Sequence, residues 1–313
     1  MVEFEAAVRD GASILTDGGI ETRIMFETDV AMDPHVGVTT LVGDPKGGPV
    51  LRGIYESYVE AAKLHGLPVI IGTPTFRASP NFVRQAGLGG DEAVRKLNAD
   101  AVAMHRDIKE RSAHEPVFVA GVIGPSGDAY TPEETLPARE AHEYHRLQAQ
   151  ALADSGVDFL YAPTFPSVEE ALGVTLTMAA TGKPCVVSFV LGRDGRVLDG
   201  VPLHEAIERI DAESPPLFYS VSCVHHSVAR RALQDAPELV TRRLLELKAN
   251  ASAMSTGELV NLDHLEGDDP ETFAAGMWRL RSDFGLRVLG GCCGTDDRHV
   301  RALAARMAGS AGR

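Results

Sequence analysis

Short apolar runs alternate with stretches of helical periodicity along this whole chain, and that alternation limits the fold more than any single motif. Residues 13–16, 68–73, 117–123, 158–162, 184–191 and 217–222 have strand length, with branched or aromatic residues, and several stop at Gly or Pro. Between them, residues 50–65 repeat apolar side chains (Leu51, Ile54, Tyr58, Ala61, Ala62) at helical intervals. Residues 91–111, 140–155, 168–180 and 203–210 also read as helices. The first of these starts acidic and ends basic, as the helix dipole favours. Further along, 238–248 is predicted helical, 250–254 a weak seventh strand, 270–284 a helix, 287–289 an eighth strand and 297–307 a last helix. Asp194-Gly195 marks a tight hairpin turn within 191–197. Such alternation implies a parallel sheet. Eight units in 313 residues predict an α/β chain folded as one closed (β/α)8 TIM barrel, a single domain over 1–313. An open doubly wound sheet is the alternative. The first turn, Asp17-Gly18-Gly19-Ile20-Glu21, lacks the glycine pattern of a dinucleotide fold, and there is no P-loop.

Charge excludes some functions. Thirty basic residues against 44 acidic ones leave −14, with no basic block to meet phosphates, so no nucleic-acid partner is expected. No apolar run approaches the ~18 residues of a membrane span, and the acidic start lacks a signal-peptide pattern. A cytoplasmic protein is expected.

The four cysteines (185, 223, 292 and 293) are too few for a disulfide scaffold. Two are adjacent, in Val288-Leu289-Gly290-Gly291-Cys292-Cys293-Gly294-Thr295. Neighbouring strand residues point to opposite faces, so both thiols reach one point only if the strand breaks there. The flanking glycines permit a break. Two readings follow: a pair of small buried residues after a core strand, or two thiolates offered to a soft metal ion, zinc first. In a barrel the C-terminal strand ends surround the active site. This chain places Asp17, Thr73, Thr75, Gly124, Thr164, Cys223, Cys292 and Cys293 there. Three thiolates with one open position describe a catalytic zinc site. Such a site suits a second thiol, deprotonated on binding and poised to attack an electrophilic carbon; an activated methyl donor is the natural partner.

The other candidates have plainer readings. Cys185 begins a strand and is expected in the core. His225 and His226 offer a fourth ligand or loop positions, with loop positions preferred. His142 and His145 fall one residue short of the H-E-x-x-H spacing and read as a solvated helix face. Asp17 is a turn residue or a substrate contact. Asp263, Glu266, Asp268 and Asp269 read as a solvated loop.

Gly290-Gly291-Cys292-Cys293-Gly294-Thr295, with a lone cysteine roughly 70 residues upstream, resembles the homocysteine S-methyltransferase family. Asp17-Gly18-Gly19, Thr73-Pro74-Thr75-Phe76, Ile123-Gly124-Pro125 and Val187-Ser188-Phe189 are similar to further motifs of that family, so the resemblance spans nearly the whole chain. It implies a zinc-dependent barrel that methylates the thiol of homocysteine to give methionine, using a small onium donor such as S-methylmethionine or betaine. Carried over by position, Cys223, Cys292 and Cys293 would bind Zn2+. Asp17 and Gly18 would contact the acceptor, with Gly19, Thr73, Thr164 and Ser222 as the remaining substrate-binding candidates. Two positions depart from the pattern. Pro163 stands where the family carries a Glu that helps hold the acceptor's ammonium group, and Ser222 where it carries Asn. Either a different thiol is accepted, or Glu21 or another acid supplies the charge. The partners implied are a small thiol acceptor and a methyl donor. A zinc-binding or redox-sensing barrel that has lost the acceptor site is the alternative; a metal hydrolase lacks its H-x-H ligand pair.

Overall fold

Eight parallel strands close on themselves in the computed structural model, which describes residues 3–234, 236–254, 258 and 264–309. They are β1 (Ile14–Thr16), β2 (Val69–Gly72), β3 (Val117–Val122), β4 (Phe159–Phe165), β5 (Cys185–Phe189), β6 (Phe218–His225), β7 (Leu244–Asn250) and β8 (Val288–Gly291). Each pairs with its neighbours in sequence, and β8 returns to β1 with Ile14 opposite Val288. The strands are covered on both faces, as parallel strands require. Leu15, Ile71, Val119, Leu160, Val187, Leu247 and Leu289 pack outward under the helices. Ile14, Ile70, Phe118, Phe159, Val186, Phe218 and Val288 fill the lower barrel. The short helix Phe4–Arg9 plugs that end: Phe4 stacks on Phe159 at 3.8 Å and meets Phe118 edge-on at 5.3 Å. With this end plugged, the barrel's cavity is lined by residues at the strands' C-terminal ends.

The chain departs from the sequence reading most at β7. Residues 238–248 are not one helix. The helix Glu238–Arg243 is a short turn-and-a-half, and Leu244–Asn250 is the seventh strand, so 250–254 lies at its end and beyond. Glu246 and Lys248 made this run look solvent-exposed, yet both sit inside the barrel, Glu246 only 3% exposed. The helix His226–Gln234, which periodicity did not reveal, follows β6. The predicted turn closes with Leu191 bridging Val197. His142 and His145 do not form a solvated face: His145 is fully buried against Glu170 at 3.0 Å, and Nδ1 of His142 meets the Thr177 hydroxyl at 3.0 Å. Cys185 is buried, and burial pushes its thiol up to about 11. No helix among the described residues is long and apolar enough to cross a membrane.

Candidate metal centre

Strand β8 ends where β1 crowds it. A side chain at Gly290 would meet the Thr16 and Asp17 carbonyls at 2.8 and 2.9 Å, and one at Gly291 would strike Thr295. The backbone then turns. Cys292 donates its N–H to the Ala249 carbonyl at 2.8 Å, its own carbonyl accepts the Thr295 hydroxyl at 2.7 Å, and Gly294 takes φ +78°. The break expected from the glycines therefore falls at the cysteines, and both sulfurs face one side.

Cys223 arrives by a different device. It is the extra residue of a bulge, because Ser222 pairs with Lys248 and Val224 with Ala249. Its φ is +56°, in the left-handed region that a residue with a Cβ avoids. Thr164, at the matching irregularity in β4, has φ +63°. The two touch, with Thr164 Oγ1 3.6 Å from Cys223 Sγ and 3.1 Å from Ser222 Oγ; Ser188 donates to Ser222 at 2.8 Å. Strained residues of this kind cost about 1–3 kcal/mol each and persist only where the surroundings hold them. Here the bulge turns the thiol toward β8.

The three sulfurs lie within 4.8 Å of one another, and those of Cys223 and Cys292 are 2.6 Å apart. Hydrogen bonds from Cys292 and Cys293 hold Cys223 well below the usual thiol range, and the same contacts push Cys292 and Cys293 upward. A three-sulfur donor set on a rim fits a soft, thiophilic dication, and such a charge would reverse the upward shifts. Cys293 is exposed, and Cys223 and Cys292 are half-buried. His225 and His226 turn elsewhere. Both rings meet Asp268 Oδ2 at 3.0 Å, forming a separate cluster beside the site. Asp268 is thus engaged rather than merely solvated, Asp269 caps the helix Pro270–Phe284, and Asp263 lies outside the described residues.

Beneath the sulfurs is a cavity of about 250 Å³. The predicted metal and substrate residues line it (Asp17, Gly18, Gly19, Thr73, Thr164, Ser222 and the three cysteines), whereas Thr75 and Gly124, also expected at the rim, are not among its walls. Thr73 Oγ1 is bonded to the Thr75 hydroxyl at 2.7 Å and accepts the Val122 N–H at 3.0 Å, so it braces the wall. Asp17 is buried, with Oδ2 accepting the Gly72 N–H at 2.7 Å and Oδ1 paired with Lys248. Below them burial pushes the Glu246 carboxyl up to about 7.

Four contributors escaped sequence reading. Lys248 and Glu246 were hidden by the misplaced strand, although Leu245-Glu246-Leu247-Lys248 does alternate as a strand would. Tyr130 comes from the loop after β3 and lines the same cavity as Cys223; its proximity to Cys223, with burial, pushes its phenol well above the usual range. Asn250 ties the two cysteine loops together, donating Nδ2–H to the Cys223 carbonyl at 2.9 Å and accepting the Cys293 N–H on Oδ1 at 3.1 Å. Replacing it with Ala removes both ties. Metal affinity is expected to fall about 10- to 100-fold, as for other supports behind metal ligands, measured by competition with a chromophoric chelator; unchanged affinity would show that the cysteines hold position alone.

A profile of the homocysteine S-methyltransferase family matches residues 14–307. The chain belongs to the homocysteine S-methyltransferase family. Among curated members, it is 24% identical over 307 residues to the homocysteine S-methyltransferase of Escherichia coli, covering 94% of each chain. It is 26% identical over 259 residues to mouse betaine–homocysteine S-methyltransferase 1, covering 76% of this chain and 60% of that one. Its fold is that of the E. coli homocysteine methyltransferase MmuM in the metallated form, with a TM-score of 0.77 at 19% identity, over 96% of this chain and 98% of that one. As a family member it is a thiol methyltransferase, and the family includes metalloenzymes.

Proposed function

We propose that this chain is a zinc-dependent S-methyltransferase that moves a methyl group from a small onium donor, of the S-methylmethionine or betaine type, to a thiol. The acceptor is homocysteine or a related thiol, and the product is methionine or the analogous thioether. The observation that carries this reading is the convergence of Cys223, Cys292 and Cys293 within 4.8 Å at the mouth of a cavity. These three residues would hold the ion. Bound zinc supplies a positive centre that favours the deprotonated acceptor thiol at neutral pH.

The protein supplies position. Asn250, Thr164 and the glycines of β8 fix the three sulfurs before substrate arrives. The cavity below them admits the body of the acceptor, with Gly18, Gly19, Thr73 and Ser222 among its walls. Holding thiolate and methyl carbon in line removes much of the entropy cost of a bimolecular step. The thiol sulfur forms the new bond to carbon, the onium centre leaves with the old bonding pair, and no base is required once the thiol has lost its proton. Three unpaired thiols call for a reducing compartment, which supports a cytoplasmic site.

Mass spectrometry of thiol acceptors incubated with zinc-loaded protein and S-methylmethionine, betaine or S-adenosylmethionine tests this directly. A 14-dalton gain on a thiol, roughly one CH2 and dependent on zinc, is the expected result. Transfer at full rate after metal removal would refute the metal's part, and no transfer from any donor would refute the activity.

A further inference from the structure

Beside the three sulfurs lies a group of ligand-type side chains that methyl transfer does not use. His225 ends β6 and His226 begins the helix His226–Gln234, and at this change from strand to helix the two rings come together, centroids 3.9 Å apart. Nε2 of each ring meets the same oxygen, Oδ2 of Asp268, at 3.0 Å. The three ligand atoms lie within 4.8 Å of one another. Around an ion with bonds of about 2.0–2.2 Å, neighbouring ligand atoms stand roughly 3.0–3.4 Å apart in a tetrahedral or octahedral shell, so the spacing of nitrogen and oxygen here fits. Each ligand is also held from behind, as metal ligands are. Nδ1 of His225 meets the Ser227 hydroxyl at 2.7 Å and its main-chain N–H at 3.3 Å; the hydroxyl accepts the Nδ1 proton once Nε2 binds an ion. The His226 ring lies on Gly276 of the helix Pro270–Phe284, where a Cβ would fall 2.4 Å from the ring's Cε1 and Nε2. The Asp268 carbonyl accepts from His299 Nε2 at 3.0 Å, and its N–H donates to the Ala251 carbonyl at 2.9 Å. The Asp268 side chain is 27% exposed, so water reaches the group and can complete a coordination shell.

We propose that His225, His226 and Asp268 form a second metal site, for a divalent ion of the zinc or cobalt kind. Imidazole and carboxylate ligands suit such ions. Without a thiolate, and with positions left to water, the site holds its ion less tightly than three sulfurs do, so it fills on titration and does not survive purification. Its work is structural. His225 lies two residues past Cys223, and Ala251, which holds Asp268, donates its N–H to the Cys293 carbonyl at 3.0 Å. An ion at this site ties the end of β6 to the segment after β7, behind both cysteine loops.

Cobalt(II) tests this, because thiolate ligands give it an intense near-ultraviolet charge-transfer band that imidazole and carboxylate do not. Metal-free Cys292→Ser protein titrated with cobalt is expected to bind about one equivalent, with visible ligand-field bands and no thiolate band. It is expected to melt several degrees higher with the ion than without it, since the ion binds the folded form. Cys292→Ser/Asp268→Ala is expected to bind cobalt at least about tenfold more weakly. Should that variant fail to fold, Cys292→Ser/His226→Gln takes its place with the same expectation. In the wild type the ion appears as a second equivalent after the sulfur-bound one, and His226→Gln is expected to remove the second alone. Cobalt uptake that is absent from Cys292→Ser, that shows only the thiolate band, or that persists unchanged in the folded Asp268 or His226 variant overturns the site. A melting temperature that the ion leaves unmoved overturns its structural role.

Discussion

Cys292→Ser protein is expected to purify with no more than about a tenth of the wild-type metal, and to lose methyl transfer by at least about a thousandfold. Serine keeps the size of the side chain but replaces a soft, readily ionised sulfur with a hydroxyl that stays protonated. Cys292 sits between its partners, 2.6 Å from Cys223 and next in sequence to Cys293, so its loss leaves two ligands for an ion that wants at least three from the protein. Cys223→Ser is expected to behave alike, and Cys185→Ser to keep its metal, because Cys185 lies in the core at the opposite end of its strand. Plasma emission analysis of the purified variants decides the matter. Near-stoichiometric metal in Cys292→Ser and Cys223→Ser together would remove the three-sulfur assignment.

Gly290→Ala tests the scaffold rather than the ligands. The added carbon would come within 2.8 and 2.9 Å of the Thr16 and Asp17 carbonyls, at the end of β1 and just beyond it, and would overlap the Thr16 side chain. A side chain could rotate away, but paired backbone cannot move without opening the β8–β1 seam. Overpacking against backbone is expected to cost about 3 kcal/mol, at the upper end for one added methyl group, and to lower the melting temperature by several degrees. Metal content is expected to fall with it, because the residue two places on is a ligand. A melting temperature within a degree of wild type would show that the seam relaxes.

The parts of this molecule that follow a repeating rule were legible in its residues. Seven strands and most helices announced themselves in the sequence, and the barrel then brought Cys223 to the same rim as Cys292 and Cys293. What was hidden depends on exceptions. Lys248 and Glu246 carry charges into the barrel interior, so their strand imitates an exposed helix. His145 is buried only because Glu170, on another helix, meets it. The left-handed backbone at Thr164 and Cys223 has no signature, since nothing local favours φ > 0 at a threonine or a cysteine. The Asp17–Lys248 pair spans 231 residues, and Asn250 works through two backbone groups from distant loops. These pairings exist only once the ring is closed.

That closure joins the first strand to the last. Gly19 donates its N–H to the carbonyl and hydroxyl oxygens of Thr295 at 3.2 and 3.0 Å, across 276 residues, and Gly294 donates to the Thr22 hydroxyl at 3.2 Å. Two of the three sulfurs follow directly from this seam, and the third waits 69 residues upstream. A chain still being translated holds only Cys223 until its final strand emerges, and one sulfur retains an ion poorly. On the proposed three-sulfur site, metal uptake would wait for the end of synthesis, and a truncated or unclosed chain would stay empty. An ion held by all three sulfurs would bind only the folded form and so would oppose reopening of the seam. The ring's last contact would then also be its lock, and metal content would report how many molecules completed it.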